Sequence, residues 1–186
     1  YPSCHFTHAV IDATILLSEQ HNLSADQIES ITALVPEEVV KTVCEPLESK
    51  QAPTCAYDAQ FSAPYLVALA LVRREFSLKD LEPEPLKDQV ILDLTKKVNY
   101  QADPESGFPT YYSGEVRITL KDGRTFTQRE FKNRGCFDRP LADKDISDKF
   151  FQNCAMAITK EKAEQIRTVI LNMKECASIK DLTAIL

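Results

Sequence analysis

The first twelve residues carry two histidines and a carboxylate, His5, His8 and Asp12, at spacings of three and four. On a helix these spacings place all three side chains on one face. Imidazoles titrate near neutral pH, so a pair beside a carboxylate can shuttle protons. The same donors could hold a metal through two nitrogens and an oxygen. A structural reading also stands: one histidine caps or frays the helix start and the other packs in the core. No H-E-x-x-H pattern is present and His21 is the only further histidine, which makes metal the weaker functional option. Tyr65 lies in the first turn of a second helix, where unpaired peptide N–H groups attract anions. Its phenol could anchor a carboxylate or pass a proton, or lie in the core with its hydroxyl on a backbone partner. Arg134 before Gly135 and Arg139 before Pro140 are the loop cations most suited to a carboxylate; Lys96, Lys97, Arg73 and Arg74 read as solvated charges.

The rest of the chain bounds this chemistry. At 186 residues it fits one domain, or one domain with a small appendage. A net charge of -6 argues against nucleic acid, whose phosphates need a basic surface. The longest apolar run, Leu66 to Val72, is too short for a bilayer. Four glycines leave no phosphate-cradling loop. The six cysteines form no C-x-x-C pair, no signal peptide is recognised, and the size needs no staples. They are expected to be reduced cytoplasmic thiols, mostly buried. Cys4 adjoins His5, but sequence neighbours point apart on a helix, so no thiol nucleophile is expected. The chain opens at Tyr1-Pro2 and enters an apolar helix almost at once, as a piece of a longer protein would.

Periodicity supplies the elements that must position these groups. A buried helix is expected from His8 to Ser18, a capped turn at Ser24–Gln27, a strand over Ile31–Val35 and a loop from Glu45 to Asp58. Ser62 caps a helix to Arg74 that is apolar on every side. Pro83 and Pro85 introduce another, with Leu86, Val90 and Leu94 inward. A short strand follows at Val98–Gln101. Val116, Ile118 and Leu120 alternate with polar residues, and Asp122-Gly123 turns the chain into a return strand from Arg124 to Phe131. Three closing helices are expected. The first places Ile146, Phe150 and Cys154 on one face, and the second turns Ile166, Val169, Ile170 and Met173 inward. The last is a turn begun by Ser178 and Asp181 and ending through Leu182 and Leu186. The class is α+β: a small antiparallel sheet packed by helices, with C-terminal helices.

Several segments resemble one family in its own order. Tyr1-Pro2-Ser3-Cys4-His5-Phe6-Thr7-His8, with Ile11-Asp12, is similar to the "YPCC-x-x-T-H-x-x-I-D" segment of MmgE/PrpD proteins. Asp58 to Tyr65 resembles their "A-(K/R)-F-S-x-x-Y" helix entry, and Glu115 to Arg124 their "V-x-V-x-L-x-D-G-R" hairpin. Arg134-Gly135, Arg139-Pro140-Leu141 and Lys149-Phe150 match the "R-G … N-P-L … K-F" tail, with arginine where the family often has asparagine.

The resemblance implies the C-terminal lid portion of a lyase for small polycarboxylates, related to 2-methylcitrate dehydratases, cis-aconitate decarboxylases and iminodisuccinate epimerases. It implies no metal, flavin or nucleotide, a homodimer, and an active site shared with an N-terminal helical domain. Matching residue by residue makes His8 and Tyr65 catalytic, with His5 and Arg134 binding substrate. Residues 1–157 would form the lid and 158–186 the helices that dock on the helical domain, with Ile11, Ile15, Val169 and Leu186 as docking residues. The chain alone is then expected to be inactive. A catalytically silent ligand-binding or interaction domain, and a small metal-binding domain on His5, His8 and Asp12, are the alternatives.

Overall fold

Alternating burial along four segments builds one sheet in the computed structural model, which describes residues 1–176 and 178–185. The strands are β1 (Ile28–Val35), β2 (Val98–Ala102), β3 (Gly114–Leu120) and β4 (Thr125–Glu130), in the order β2-β1-β3-β4. β3 and β4 form the expected antiparallel hairpin, and Gly123 takes the positive φ of 88° that the turn requires. β1 runs antiparallel to β3, pairing Ile31 with Ile118 and Ala33 with Val116. β2 is parallel to β1, so the α+β class holds but the sheet is mixed rather than wholly antiparallel. The cause is the connection: β2 returns after a long helical crossover, the kind of link that parallel neighbours need.

The helices of the first part are α1 (His8–Gln20), α2 (Val40–Val43), α3 (Leu47–Gln51), α4 (Ala56–Gln60), α5 (Ala63–Arg73) and α6 (Gln89–Thr95). α3 and α4 occupy the stretch expected to be a loop; five residues each is too short for a periodic signal. α5 starts where Ser62 Oγ accepts from the Tyr65 amide at 3.0 Å, and Arg74 ends it in the left-handed region. Every residue from Ala63 to Leu71 is buried, as its all-round apolar sequence demands. α1 and α5 pack on each other and on the sheet. In α6 the buried residues are Ile91, Leu94 and Thr95, while Val90 is exposed. The helix begins at Gln89, capped by Asp88; Leu94 faces inward as expected, but Ile91 takes the buried place expected for Val90.

One glycine sets how closely α1 meets the sheet. A Cβ on Gly114 would lie 2.9 Å from Val10 Cγ1, 3.1 Å from Ala9 Cβ and 3.2 Å from the Val10 backbone nitrogen. Backbone cannot yield cheaply in a close-packed core. Gly114→Ala is therefore expected to cost about 1–3 kcal/mol, read as a lower urea midpoint. An unchanged midpoint would show that α1 shifts freely.

Contacts divide the chain into Tyr1–Pro140 and Leu141–Leu186. The second unit contains α7 (Asp143–Cys154), α8 (Lys160–Leu171) and α9 (Lys180–Thr183). Ala163 and Ile166 of α8 are buried, as expected for Ile166, but Ile170 and Met173 are exposed against the expected inward stripe, and Ile146 of α7 is exposed too. Two amphipathic helices of twelve residues cannot enclose a full stripe between them. Arg167 reaches from α8 to the Ser147 hydroxyl of α7 at 3.3 Å. Leu186, expected in the last turn, lies outside the described residues. Ile11, expected at a docking surface, is fully buried in the first unit.

All six cysteines are free, yet only Cys44 is buried; Cys55 is exposed and the others are intermediate. Burial pushes the Cys44 thiol up to about 12, so it is inert at neutral pH. Among the described residues no helix is long and apolar enough to cross a membrane.

Candidate active site

The opening segment is pinned before it becomes a helix. The Cys4 amide donates to the Gln60 carbonyl at 2.9 Å, and the Gln60 side-chain amide donates to the Pro2 carbonyl at 2.8 Å. The Thr7 hydroxyl donates to the Cys4 carbonyl at 2.8 Å. A 3-10 turn over His5–Thr7 then runs into α1. The three residues expected on one face are thus split between the turn, which carries His5, and the first α-turns, which carry His8 and Asp12.

The two imidazoles do meet: their ring centroids lie 5.0 Å apart. His8 also receives the Tyr1 ring edge-on at 5.4 Å, and its Nε2 lies 3.3 Å from the Ser3 carbonyl. A carbonyl only accepts, so that contact assigns the proton to Nε2 and makes Nδ1 the basic nitrogen of the neutral ring. The ring of His5 sits edge-on to Tyr112 at 4.4 Å, with Nε2 2.9 Å from the Asn133 side-chain nitrogen. Burial lowers the pKa of His5, so its imidazole is neutral more readily than a solvated one.

Asp12 anchors the other side. Tyr1 donates its hydroxyl to Asp12 Oδ1 at 2.6 Å, and Arg134 Nε lies 3.7 Å from the same oxygen. The Arg134 guanidinium also sits 5.8 Å from the centroid of the Tyr1 ring. Burial raises the Asp12 carboxyl; the Tyr1 hydrogen bond and Arg134 oppose it. Burial, then the Asp12 charge, also pushes the Tyr1 phenol up, so it remains a donor. Arg139 is held by Glu130 and donates to the Lys132 carbonyl at 2.6 Å, beside the cluster. His5, His8 and Arg134 are therefore joined through Tyr1, Asp12 and Asn133 into one polar surface between the start of α1 and the segment after β4.

Tyr65 lies elsewhere. Its side chain is fully buried, and its hydroxyl has no hydrogen-bond partner among the described residues. Burial pushes its pKa up to about 12, with Asp80 and Asp88 adding to the shift and Arg73 opposing it. No hydrogen bond or ring contact among the described residues joins it to His5, His8 or Arg134. Tyr65→Phe removes a buried donor that gains nothing, so stability should hold or rise, by up to about 1–3 kcal/mol. Thermal melting checks this; a clear fall in Tm would reveal a hidden partner.

Tyr1, Tyr112 and Asn133 were not singled out in the sequence. Tyr1 lay inside the quoted motif, whereas nothing about Asn133 except its place before Arg134-Gly135 marked it. Among the described residues no three His, Cys, Asp or Glu side chains gather as a metal-holding group. Asp12 instead faces Tyr1 and Arg134.

Comparison with known proteins bears on the family. The chain is 27% identical over 194 residues to cis-aconitate decarboxylase of Mus musculus and 25% identical over 193 residues to that of Homo sapiens. Each match covers 100% of this chain, which spans 38% of the relative's length. A cis-aconitate decarboxylase-like protein, oryM, of Aspergillus oryzae is 25% identical over 138 residues, 74% of this chain and 28% of its own length. The description of the MmgE/PrpD C-terminal domain fits residues 1–175, and the chain belongs to that family.

Proposed function

We propose that this chain is the lid domain of a cofactor-free lyase for small polycarboxylates, completed by an N-terminal helical domain in a homodimer. Resemblance and relatives alike favour this over a silent binding domain, and the named relatives favour decarboxylation of a cis-aconitate-like acid over dehydration. The observation that carries the reading is the pair of imidazoles 5.0 Å apart beside the Asp12–Arg134 pair. Arg134 and His5 hold substrate carboxylates. In decarboxylation the bond between carbon and one carboxylate breaks, carbon dioxide leaves, and its electron pair stays on the carbon skeleton. That carbon must then take up one proton, which His8 delivers as the imidazolium. In dehydration His8 would instead remove a proton next to a carboxylate and, as the imidazolium, return it to the departing hydroxide, which leaves as water. Tyr65 has no step in this reading, because a phenol already sealed in the core does not become more accessible when another domain docks.

The experiment is turnover by the full-length protein, offered cis-aconitate and 2-methylcitrate separately. Release of carbon dioxide from the first supports a carboxy-lyase, and loss of water from the second a hydro-lyase. Binding of either acid without turnover would favour the silent domain.

A further inference from the structure

The residue that decides what His5 can do is Asn133. Asn133 is buried, and its Oδ1 accepts the Tyr112 backbone amide at 3.0 Å. A backbone N–H can only donate, so this bond fixes which end of the Asn133 amide is oxygen. The NH2 end must then be the group 2.9 Å from His5 Nε2. It is a donor, so the imidazole nitrogen facing it must offer a lone pair. We propose that Asn133 is a positioning residue that locks His5 as the neutral tautomer with its proton on Nδ1. His5 is then unsuited to delivering a proton from Nε2, and Nδ1–H is the donor it has for a carboxylate.

His8 has the reverse assignment, since the Ser3 carbonyl accepts a hydrogen bond from its Nε2–H. Two histidines three residues apart therefore carry opposite tautomers. One is a fixed neutral donor, and the other has its base at Nδ1. Other features support the lock. The Tyr112 ring packs edge-on to His5 at 4.4 Å and on Phe6 at 5.3 Å, which holds the strand-side backbone that sets Asn133. The lowered pKa of His5 fits a ring kept neutral.

The tautomer itself stands apart from the lyase reading; only its use for a substrate carboxylate rests on that reading. The test is a long-range nitrogen–proton correlation spectrum of full-length protein labelled with nitrogen-15 histidine. His5 is expected to show a protonated Nδ1 and an unprotonated Nε2. Asn133→Asp has the same shape but only acceptors, and should move the proton to Nε2. Asn133→Leu has similar volume and no polar end, and should release His5 to a mixture of tautomers. With a polycarboxylate as substrate, Asn133→Asp should raise KM about tenfold or more, the size of one lost charge-assisted hydrogen bond. A proton on Nε2 of His5 in the unmodified protein would overturn the lock, even if a variant fails to fold. So would identical tautomers in all three proteins. If the lock is seen but the unmodified protein turns over no polycarboxylate, the lyase reading fails and the tautomer assignment survives.

Discussion

In the full-length protein, His8→Gln is expected to slow turnover of the polycarboxylate by about a hundredfold to ten-thousandfold, the usual worth of a positioned acid or base. Folding should hardly change. His8 is half-buried, its contact with the Ser3 carbonyl is a long 3.3 Å, and a glutamine amide can still donate there. His5→Gln should act differently, raising KM more than it lowers kcat, because a neutral ring locked by Asn133 binds rather than transfers. Tyr65→Phe should leave kcat near that of the parent. Measuring kcat, KM and Tm for the three variants separates the roles. If His8→Gln melts early yet turns over normally once folded, His8 is a core residue and the acid–base assignment is wrong. A large fall in kcat with Tyr65→Phe would bring that phenol back into the chemistry.

The hairpin of β3 and β4 and the helix α5 were legible because each repeats one local rule. Strict alternation plus Asp-Gly gave the first, and an all-apolar run after Ser62 gave the second. β2 was legible as a strand but not as a parallel neighbour of β1, since strand order depends on where a long crossover lands. The site was half-legible for a similar reason. His5, His8 and Asp12 advertise themselves by spacings of three and four along about two turns of chain. Asn133 lies 128 residues from His5, and only tertiary structure could show that its amide faces that ring. Tyr65 was the reverse case. Its position in a matched motif suggested chemistry, while the apolar residues around it, from Ala63 to Leu71, already described a core.

Arg129→Met should be the most destabilising of these substitutions, costing about 3–5 kcal/mol, because it strands the buried Asp103 carboxylate and takes one of two arginine partners from Glu115. From β4, Arg129 donates to both oxygens of Asp103, at 2.9 and 3.0 Å, and through Nε to Glu115 at 2.7 Å. The Asp103 side chain has no solvent exposure, and those of Glu115 and Arg129 have 8% and 13%. Methionine keeps the length and apolar stem but removes the charge, leaving Asp103, among the described residues, with only the Glu105 amide at 3.0 Å. Glu115 keeps Arg117 at 2.6 Å, so Asp103 is the costlier orphan. Arg129→Lys should recover only part of the loss, since one ammonium cannot form the fork and reach the second carboxylate together. Urea denaturation at pH 7 measures the loss, and a value below about 1 kcal/mol would mean water already solvates the pair. The same loss should reach the polar surface around His5, His8 and Arg134. Asp103 ties the end of β2 to β4, and Glu130, Asn133 and Arg134 follow Arg129 within five residues. Arg129→Met should therefore weaken substrate binding even at temperatures where the protein stays folded, through looser placement of Asn133 and Arg134.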